Sequence, residues 1–386
     1  MNTRLPVWSR VAARTNASND WPIAPEEWER RAAAKLAQGR LGCIEGGAGG
    51  LNTLRKNRDA LARWHLVPRM LGSAIERDIS VRFCGTVSPL PFFSASISVE
   101  TVAHEHGELA VARAAESCGV PFVVATPSSF TLEEIACEMP TTPHWFHLYF
   151  VDDREFAQNF TRGAETHGYV AIVETLDTPM VGWRERDLCN RRYLPLRTEA
   201  ELANFVTDPV FRARVDCDPQ ADLERSVATF LEMFNSPKNV DLSWDDMRWL
   251  RTITRLSLLA KGLLSTVDAR RAIDEGFEGV LVSNHGGRPV DGAIEALVGV
   301  RAAIGRDPVL LMDGGIRRRS DVIKAMAAGA DAVSLGCPYI HGLAVGGREG
   351  VEALLLNLMA DTYRILGLWE RKTLSALDAG AVSRRI

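Results

Sequence analysis

From about Leu90 onward, short runs of consecutive apolar residues alternate with stretches in which apolar residues recur at helical spacing. A strand buried on both faces reads as a continuous apolar run, and a helix lying on it reads as an amphipathic stripe. The alternation therefore predicts repeated βα units around a parallel sheet. The predicted strands are Pro91 to Ile97, Pro121 to Thr126, Trp145 to Phe150, Tyr169 to Thr175, Ser257 to Gly262, Gly279 to Asn284, Val309 to Asp313 and Ala332 to Gly336. The helices following them are Gly107 to Cys118, Thr131 to Met139, Arg154 to Thr166, Trp244 to Ile253, Thr266 to Glu275, Ala293 to Ile304, Ser320 to Ala328 and Gly350 to Leu366. Thr131 and Glu134 fit a capping box. Eight strands with eight helices are the number that closes a (β/α)8 barrel.

Residues 1–89 stand outside the repeat as an amino-terminal extension. Within them Pro25 to Gln38 reads as a helix with a proline and two acids in its first turn. Ile79 to Thr86 reads as a hairpin arm plugging the bottom of the barrel, and Gly46 to Gly50 as a flexible turn. The stretch from about Asn190 to Asp241 is long, mixed and charged, as active-site lids and partly disordered segments are. The expected organisation is one α/β barrel domain over all 386 residues, with a lid inserted after strand four.

Composition narrows the function classes. Apolar residues make up 46% and charged residues 24%, ordinary for a globular chain with a large core. A net charge of -4 argues against a nucleic-acid-binding surface. The 7 cysteines are scattered without a C-x-x-C pair, so neither a zinc site nor a disulfide framework is expected. Met1 to Arg10 has no apolar core of signal-peptide length, and the expected location is the cytoplasm, away from membranes.

Two stretches carry chemistry. Ser283-Asn284-His285-Gly286-Gly287-Arg288 leaves the sixth strand and sets an imidazole and a guanidinium three residues apart. His285 suits a general base and Arg288 a carboxylate clamp, with glycines that let a flat ligand approach. Asp313-Gly314-Gly315-Ile316-Arg317 leaves the seventh strand. Both lie at carboxyl ends of strands, where this barrel keeps its active site. The bland alternatives are a satisfied loop histidine and a plain tight turn. Arg184 reads equally as a surface ion pair within a charged run, Tyr149 as a core aromatic with a wet tip, and Asp177 as a turn residue.

These motifs resemble the FMN-dependent 2-hydroxy acid oxidases and dehydrogenases, the group of glycolate oxidase, lactate oxidase and mandelate dehydrogenase. SNHGGR, DGGIR, Lys261-Gly262, Leu176-Asp177-Thr178-Pro179 and Gly182-Trp183-Arg184-Glu185-Arg186-Asp187 occur in family order between about Pro25 and Leu374. Gly-Trp-Arg, Asn204 to Phe211 and Pro68-Arg69-Met70-Leu71 are most similar to the lactate 2-monooxygenase branch. The resemblance implies FMN as cofactor, a small 2-hydroxy acid as substrate, oxygen or another electron acceptor, and a tetramer. It implies that Asp177 pairs with His285, and that Arg184, Arg288 and the Tyr149 hydroxyl hold the substrate. Lys261 would meet the flavin's N1–C2 carbonyl edge, with His147 and Thr175 along its polar rim. Asp313, Gly314, Gly315, Arg317 and Gly336 would bind the ribityl chain and phosphate. Ser96, Ser98, Ser283 and Cys337 complete the expected cofactor contacts.

Several positions depart from the family. Cys337 stands where most members carry a phosphate-gripping arginine, and Ser96-Ile97-Ser98 replaces Pro-Thr-Ala. Ala125 and Pro127 replace a serine and an aromatic, and Leu41-Gly42-Cys43-Ile44 lacks a substrate-binding tyrosine. The changes cluster around substrate and oxygen while base and lysine are kept, which predicts a larger or unusual 2-hydroxy acid. Three alternatives stay open: a lactate 2-monooxygenase-like outcome, a non-redox FMN barrel resembling type 2 isopentenyl diphosphate isomerase, and a degenerate barrel serving as a binding or scaffold subunit.

Overall fold

A computed structural model describes residues 21–71, 77–151, 153–180, 182–189, 202–288, 293–374, 377 and 379–384. Its centre is a closed barrel of eight parallel strands: β1 (Phe92–Ser94), β2 (Phe122–Ala125), β3 (His144–Leu148), β4 (Ala171–Thr175), β5 (Ser257–Lys261), β6 (Gly279–Val282), β7 (Val309–Met312) and β8 (Ala332–Leu335). Each strand pairs with its sequence neighbours, and β8 pairs with β1 to close the ring. The expected α/β barrel is thus present, strand for strand.

The continuous apolar runs arise because both strand faces are buried. Phe93, Val123, Trp145, Val173, Leu259 and Leu311 point into the barrel as one cluster. Their neighbours Phe92, Val124, Phe146, Ile172, Leu258 and Leu310 pack outward against the helices. The hairpin Val81–Phe83/Thr86–Ser88 seals the barrel end where the strands begin. Its Phe83 ring lies 5.4 Å from Trp145, edge to face, and 5.9 Å from Phe93. Burying that ring contributes about 2 kcal/mol.

The helices start where their caps are. Thr131 Oγ1 accepts from Glu134 N–H at 3.2 Å and Glu134 Oε2 accepts from Thr131 N–H at 2.8 Å, completing the expected box. Before the barrel lie α1 (Pro25–Lys35), α2 (Gln38–Glu45) and α3 (Asn52–Arg63). The first helix stops at Lys35, short of Gln38, because Leu36 turns extended (ψ 139°) and the chain re-enters a second helix. The glycine turn at 46–50 is pinned rather than free. Ala48 N–H donates to Gly287 O at 3.2 Å and Gly49 N–H to Trp183 O at 2.8 Å. The last helix begins at Cys337, directly after β8, and runs to Leu368 across a kink at Gly346 and Gly347.

The insertion is helical where described, with helices Ala203–Thr207, Pro209–Val215 and Leu223–Phe234; residues 190–201 lie outside the described residues. Phe205 packs edge to face on Phe211 at 5.6 Å and on Phe230 at 4.9 Å. Buried Asn204 staples this unit to the barrel, donating to Thr126 O at 3.2 Å and accepting from Leu132 N–H at 2.9 Å. Among the described residues no helix is long and apolar enough to cross a membrane.

Candidate active site

The loop leaving β6 is held in an unusual backbone path. His285, Gly286 and Gly287 have φ of 51°, 67° and 87°, all left-handed. Ser283 Oγ accepts the His285 N–H at 3.0 Å, and Asn284 Oδ1 accepts the Gly287 N–H at 3.2 Å. Asn284 in turn exchanges two hydrogen bonds with Asn57 of α3, at 2.9 and 2.6 Å. A Cβ on Gly287 would lie 2.7 Å from Leu54 N, so glycine is what lets α3 press on this loop.

Three groups converge on His285 Nδ1. Asp177 Oδ1 is 2.9 Å away, Thr178 Oγ1 3.0 Å and Lys261 Nζ 3.2 Å. A carboxylate only accepts and an ammonium only donates. The Nδ1–H therefore points to Asp177 and Thr178, and Lys261 is held instead by Asp177 Oδ2 at 3.6 Å. The Nε2 lone pair is left facing the Tyr149 hydroxyl at 3.2 Å. Burial and the Lys261 charge push His285 down to about 4, against the pull of Asp177. The imidazole is neutral at neutral pH, with its Nε2 lone pair accepting from the Tyr149 hydroxyl. Burial would raise Asp177, but the Lys261 and His285 charges override it and hold the carboxylate below its usual range. Burial raises Tyr149, which stays a phenol. Gly262, at φ 96°, makes room for this arrangement: a Cβ there would sit 2.4 Å from Asp177 Cβ.

Two guanidiniums flank this centre. Arg288 Nη2 donates to Cys43 O at 3.1 Å and Arg184 Nη2 to the same oxygen at 3.4 Å. Arg184 Nε is 2.7 Å from Asp187 Oδ2, with both side chains buried. Burial and the neighbouring Arg184 lower Arg288, and burial raises Asp187. Buried Arg184 and half-buried Arg288 thus lie side by side with only Arg184 paired to a carboxylate among the described residues, an arrangement that suits an anionic ligand. Arg184 does pair within its charged run, with Asp187, but not at the surface, since its side chain is 7% exposed.

One cavity of about 670 Å³ joins these groups to the loop after β7. Asp313, Gly314, Gly315, Arg317, Gly336 and Cys337 line its far end, and Ser96 and Ser98 line the wall between. Asp313 is half-buried; burial of its carboxyl raises its pKa, and its Oδ1 has no partner among the described residues. Gly314 and Gly315 have φ of 92° and 86°, and a Cβ on Gly315 would lie 3.0 Å from the Asn57 carbonyl. Gly336 caps the amino end of the last helix. A helix terminus beside an arginine suits a phosphate, and the orphaned Asp313 oxygen suits a sugar-alcohol hydroxyl. This donor set fits FMN, with Lys261 between the two ends.

Three expected contacts sit behind the wall rather than in it. His147 Nε2 bonds Thr175 Oγ1 across β3 and β4, and both side chains are buried outside the cavity lining. Ser283 is fully buried and supports the His285 loop and Asp313. Conversely, three lining or bridging residues escaped the sequence reading: Thr178, Arg58 of α3, and Phe234, whose ring lies 5.6 Å from Tyr149. Thr178 lies within the Leu176-Asp177-Thr178-Pro179 motif; Arg58 and Phe234 carry no local signal.

Comparison with known proteins identifies the family. A family described as FMN-dependent dehydrogenase matches residues 32–384. The chain is similar to the L-lactate oxidase of Lysinibacillus sphaericus (strain C3-41), at 38% identity over 89% of this chain and 88% of that protein. It is similar to the 4-hydroxymandelate oxidase of Amycolatopsis orientalis, at 38% identity over 88% of this chain and 92% of that protein. A solved mandelate oxidase with (S)-4-hydroxymandelic acid superposes with a TM-score of 0.83 at 35% identity, covering 95% of this chain and 99% of that one.

Proposed function

The chain belongs to the FMN-dependent dehydrogenase family, and from that premise we propose that it oxidises a 2-hydroxy acid with an apolar side chain larger than methyl, using oxygen as acceptor. Its oxidation of 2-hydroxy acids with FMN follows from the family; the substrate's size, the acceptor and the residue roles are the proposal. The observation that carries the roles is the ring of contacts on His285, which leaves one neutral lone pair facing the cavity.

Arg288 and Arg184 bind the substrate carboxylate, which takes up their surplus charge. His285 Nε2 removes the hydroxyl proton, and Asp177 stabilises the imidazolium that forms and fixes the ring's orientation. Tyr149 donates to the substrate oxygen once that oxygen displaces it from Nε2. When bound, FMN supplies the acceptor for the hydride leaving the substrate's α-carbon. Lys261 would hold the ring's carbonyl edge, Asp313 the ribityl chain, and Arg317 with the Gly336 helix end the phosphate. Ser98 lines the wall where the family carries a small residue beside the reacting ring.

The substrate assignment rests on what surrounds the clamp. Phe234, Met180, Trp183 and Pro127 line the cavity, and the Cys43 carbonyl rather than a tyrosine accepts from Arg288. Phe234 comes from the insertion, which supports the reading of that segment as an active-site lid over a single barrel domain. Cytoplasmic location and a homo-oligomer, tetrameric in form, belong to the same proposal and rest on family likeness. A panel of 2-hydroxy acids tests it. The larger apolar acids should outpace lactate and glycolate, and lactate or glycolate leading the panel would remove the substrate assignment. Free peroxide and 2-oxo acid in equal amounts would mark an oxidase, and a decarboxylated acid the lactate 2-monooxygenase-like outcome.

A further inference from the structure

The phosphate end of the cavity is short of positive charge. Position 337 is an uncharged cysteine, where the family resemblance leads one to expect an arginine. Arg317 is already engaged: its Nε is 3.2 Å from Glu29 Oε1 and its Nη1 3.0 Å from Ile316 O. The Arg317–Glu29 pair is close to neutral as a unit. A phosphate monoester carries about −1.5 to −2 charges at neutral pH. The helix end at Gly336 offers about half a positive charge, and Pro338 in its first turn has no N–H to add.

One further cation faces this space. Arg58 lines the same cavity as Gly314, Gly315, Arg317 and Cys337. Its place is fixed by the residue before it. Asn57 presses its backbone on Gly315 and its amide on Gly314, and is doubly bonded to Asn284. Neighbouring arginines have carboxylates of their own: Arg318 bonds Glu26 at 2.7 and 2.6 Å, and Arg319 bonds Asp361. Arg58 makes no hydrogen bond or ion pair among the described residues, and the nearby Glu26 it acts on electrostatically is already held by Arg318.

We propose that Arg58, reaching over from α3, is the cation that holds the cofactor's phosphate in place of the arginine missing at position 337. It makes the site selective for FMN over the unphosphorylated flavin. This rests on the FMN reading of the cavity. A guanidinium outside the barrel does the work of one inside it, which explains how the chain tolerates Cys337. Arg58 is exposed on its helix, so its replacement leaves the core packing untouched.

The test is binding, not turnover. Apoprotein is titrated with FMN and with riboflavin, and quenching of flavin fluorescence is read at several salt concentrations. Arg58→Gln should raise the FMN dissociation constant about tenfold or more, flatten its salt dependence, and leave riboflavin affinity unchanged. Adding Cys337→Arg to that variant should restore FMN affinity. Unchanged FMN affinity, or equal weakening of FMN and riboflavin, would overturn the role of Arg58. Wild-type protein that binds neither flavin would instead overturn the cofactor reading itself, and the proposal with it.

Discussion

Replacing Gly262 by alanine tests the active-site geometry at its tightest point. Gly262 follows Lys261 at the end of β5 with φ 96°. The new Cβ would lie 2.4 Å from Asp177 Cβ, 2.5 Å from its Cγ and 2.8 Å from its Oδ2. Asp177 has nowhere to go, since its side chain is 4% exposed and tied to His285 at 2.9 Å. Forcing alanine into a left-handed conformation costs about 1–2 kcal/mol. The overlap adds about 1–3 kcal/mol, as overpacking does. The sum, about 2–5 kcal/mol, should lower the melting temperature of a chain this size by about 5 °C. Relieving the overlap moves the carboxylate by about 1 Å, enough to lose the bond to Nδ1. A misplacement of that size costs about 100-fold in rate. Thermal unfolding and anaerobic flavin reduction by a 2-hydroxy acid read the two effects. A Gly262→Ala protein with wild-type melting and wild-type reduction would refute the claim that this contact positions Asp177.

Three further outcomes follow from His285. Its pKa is depressed from 6.5 to about 4, so the acid limb of flavin reduction should fall through about 4 rather than 6.5, read by stopped-flow at constant ionic strength. Folding follows the same sign: the unfolded chain binds the extra proton between 6.5 and 4, so stability is full above 6.5 and declines as pH falls to 4. His285→Asn keeps the loop but has no base, and should retain FMN while slowing its reduction about 1,000-fold. Turnover surviving that change would remove the proton-abstraction role.

The barrel was legible because each strand is buried on both faces, which leaves an apolar run that no surface element imitates. Thr131 with Glu134 marked a helix start by its own side-chain chemistry. The start of α2 was hidden because Ala37 provides no side-chain cap. The helix Leu223–Phe234 did carry a readable stripe in Leu223, Val227, Phe230 and Phe234, masked by the charged residues around it. In the site, His285, Asp177, Lys261 and Arg288 were readable because their chemistry is needed at strand ends. His147 and Thr175 bond each other and lie outside the cavity lining, because sequence gives a strand's end but not the partner its side chain turns to. Arg58 and Phe234 come from elements outside the barrel repeat, and only the folded chain brings them to the cavity.

The central claim is that the His285 lone pair and the paired guanidiniums form one site for oxidising a 2-hydroxy acid on FMN. Its most direct test is an anaerobic visible spectrum of the FMN-loaded protein, before and after adding each member of a 2-hydroxy acid panel. The account predicts that the flavin band bleaches with at least one larger apolar acid and yields the matching 2-oxo acid in equal amount. A band that no member of the panel bleaches would contradict it.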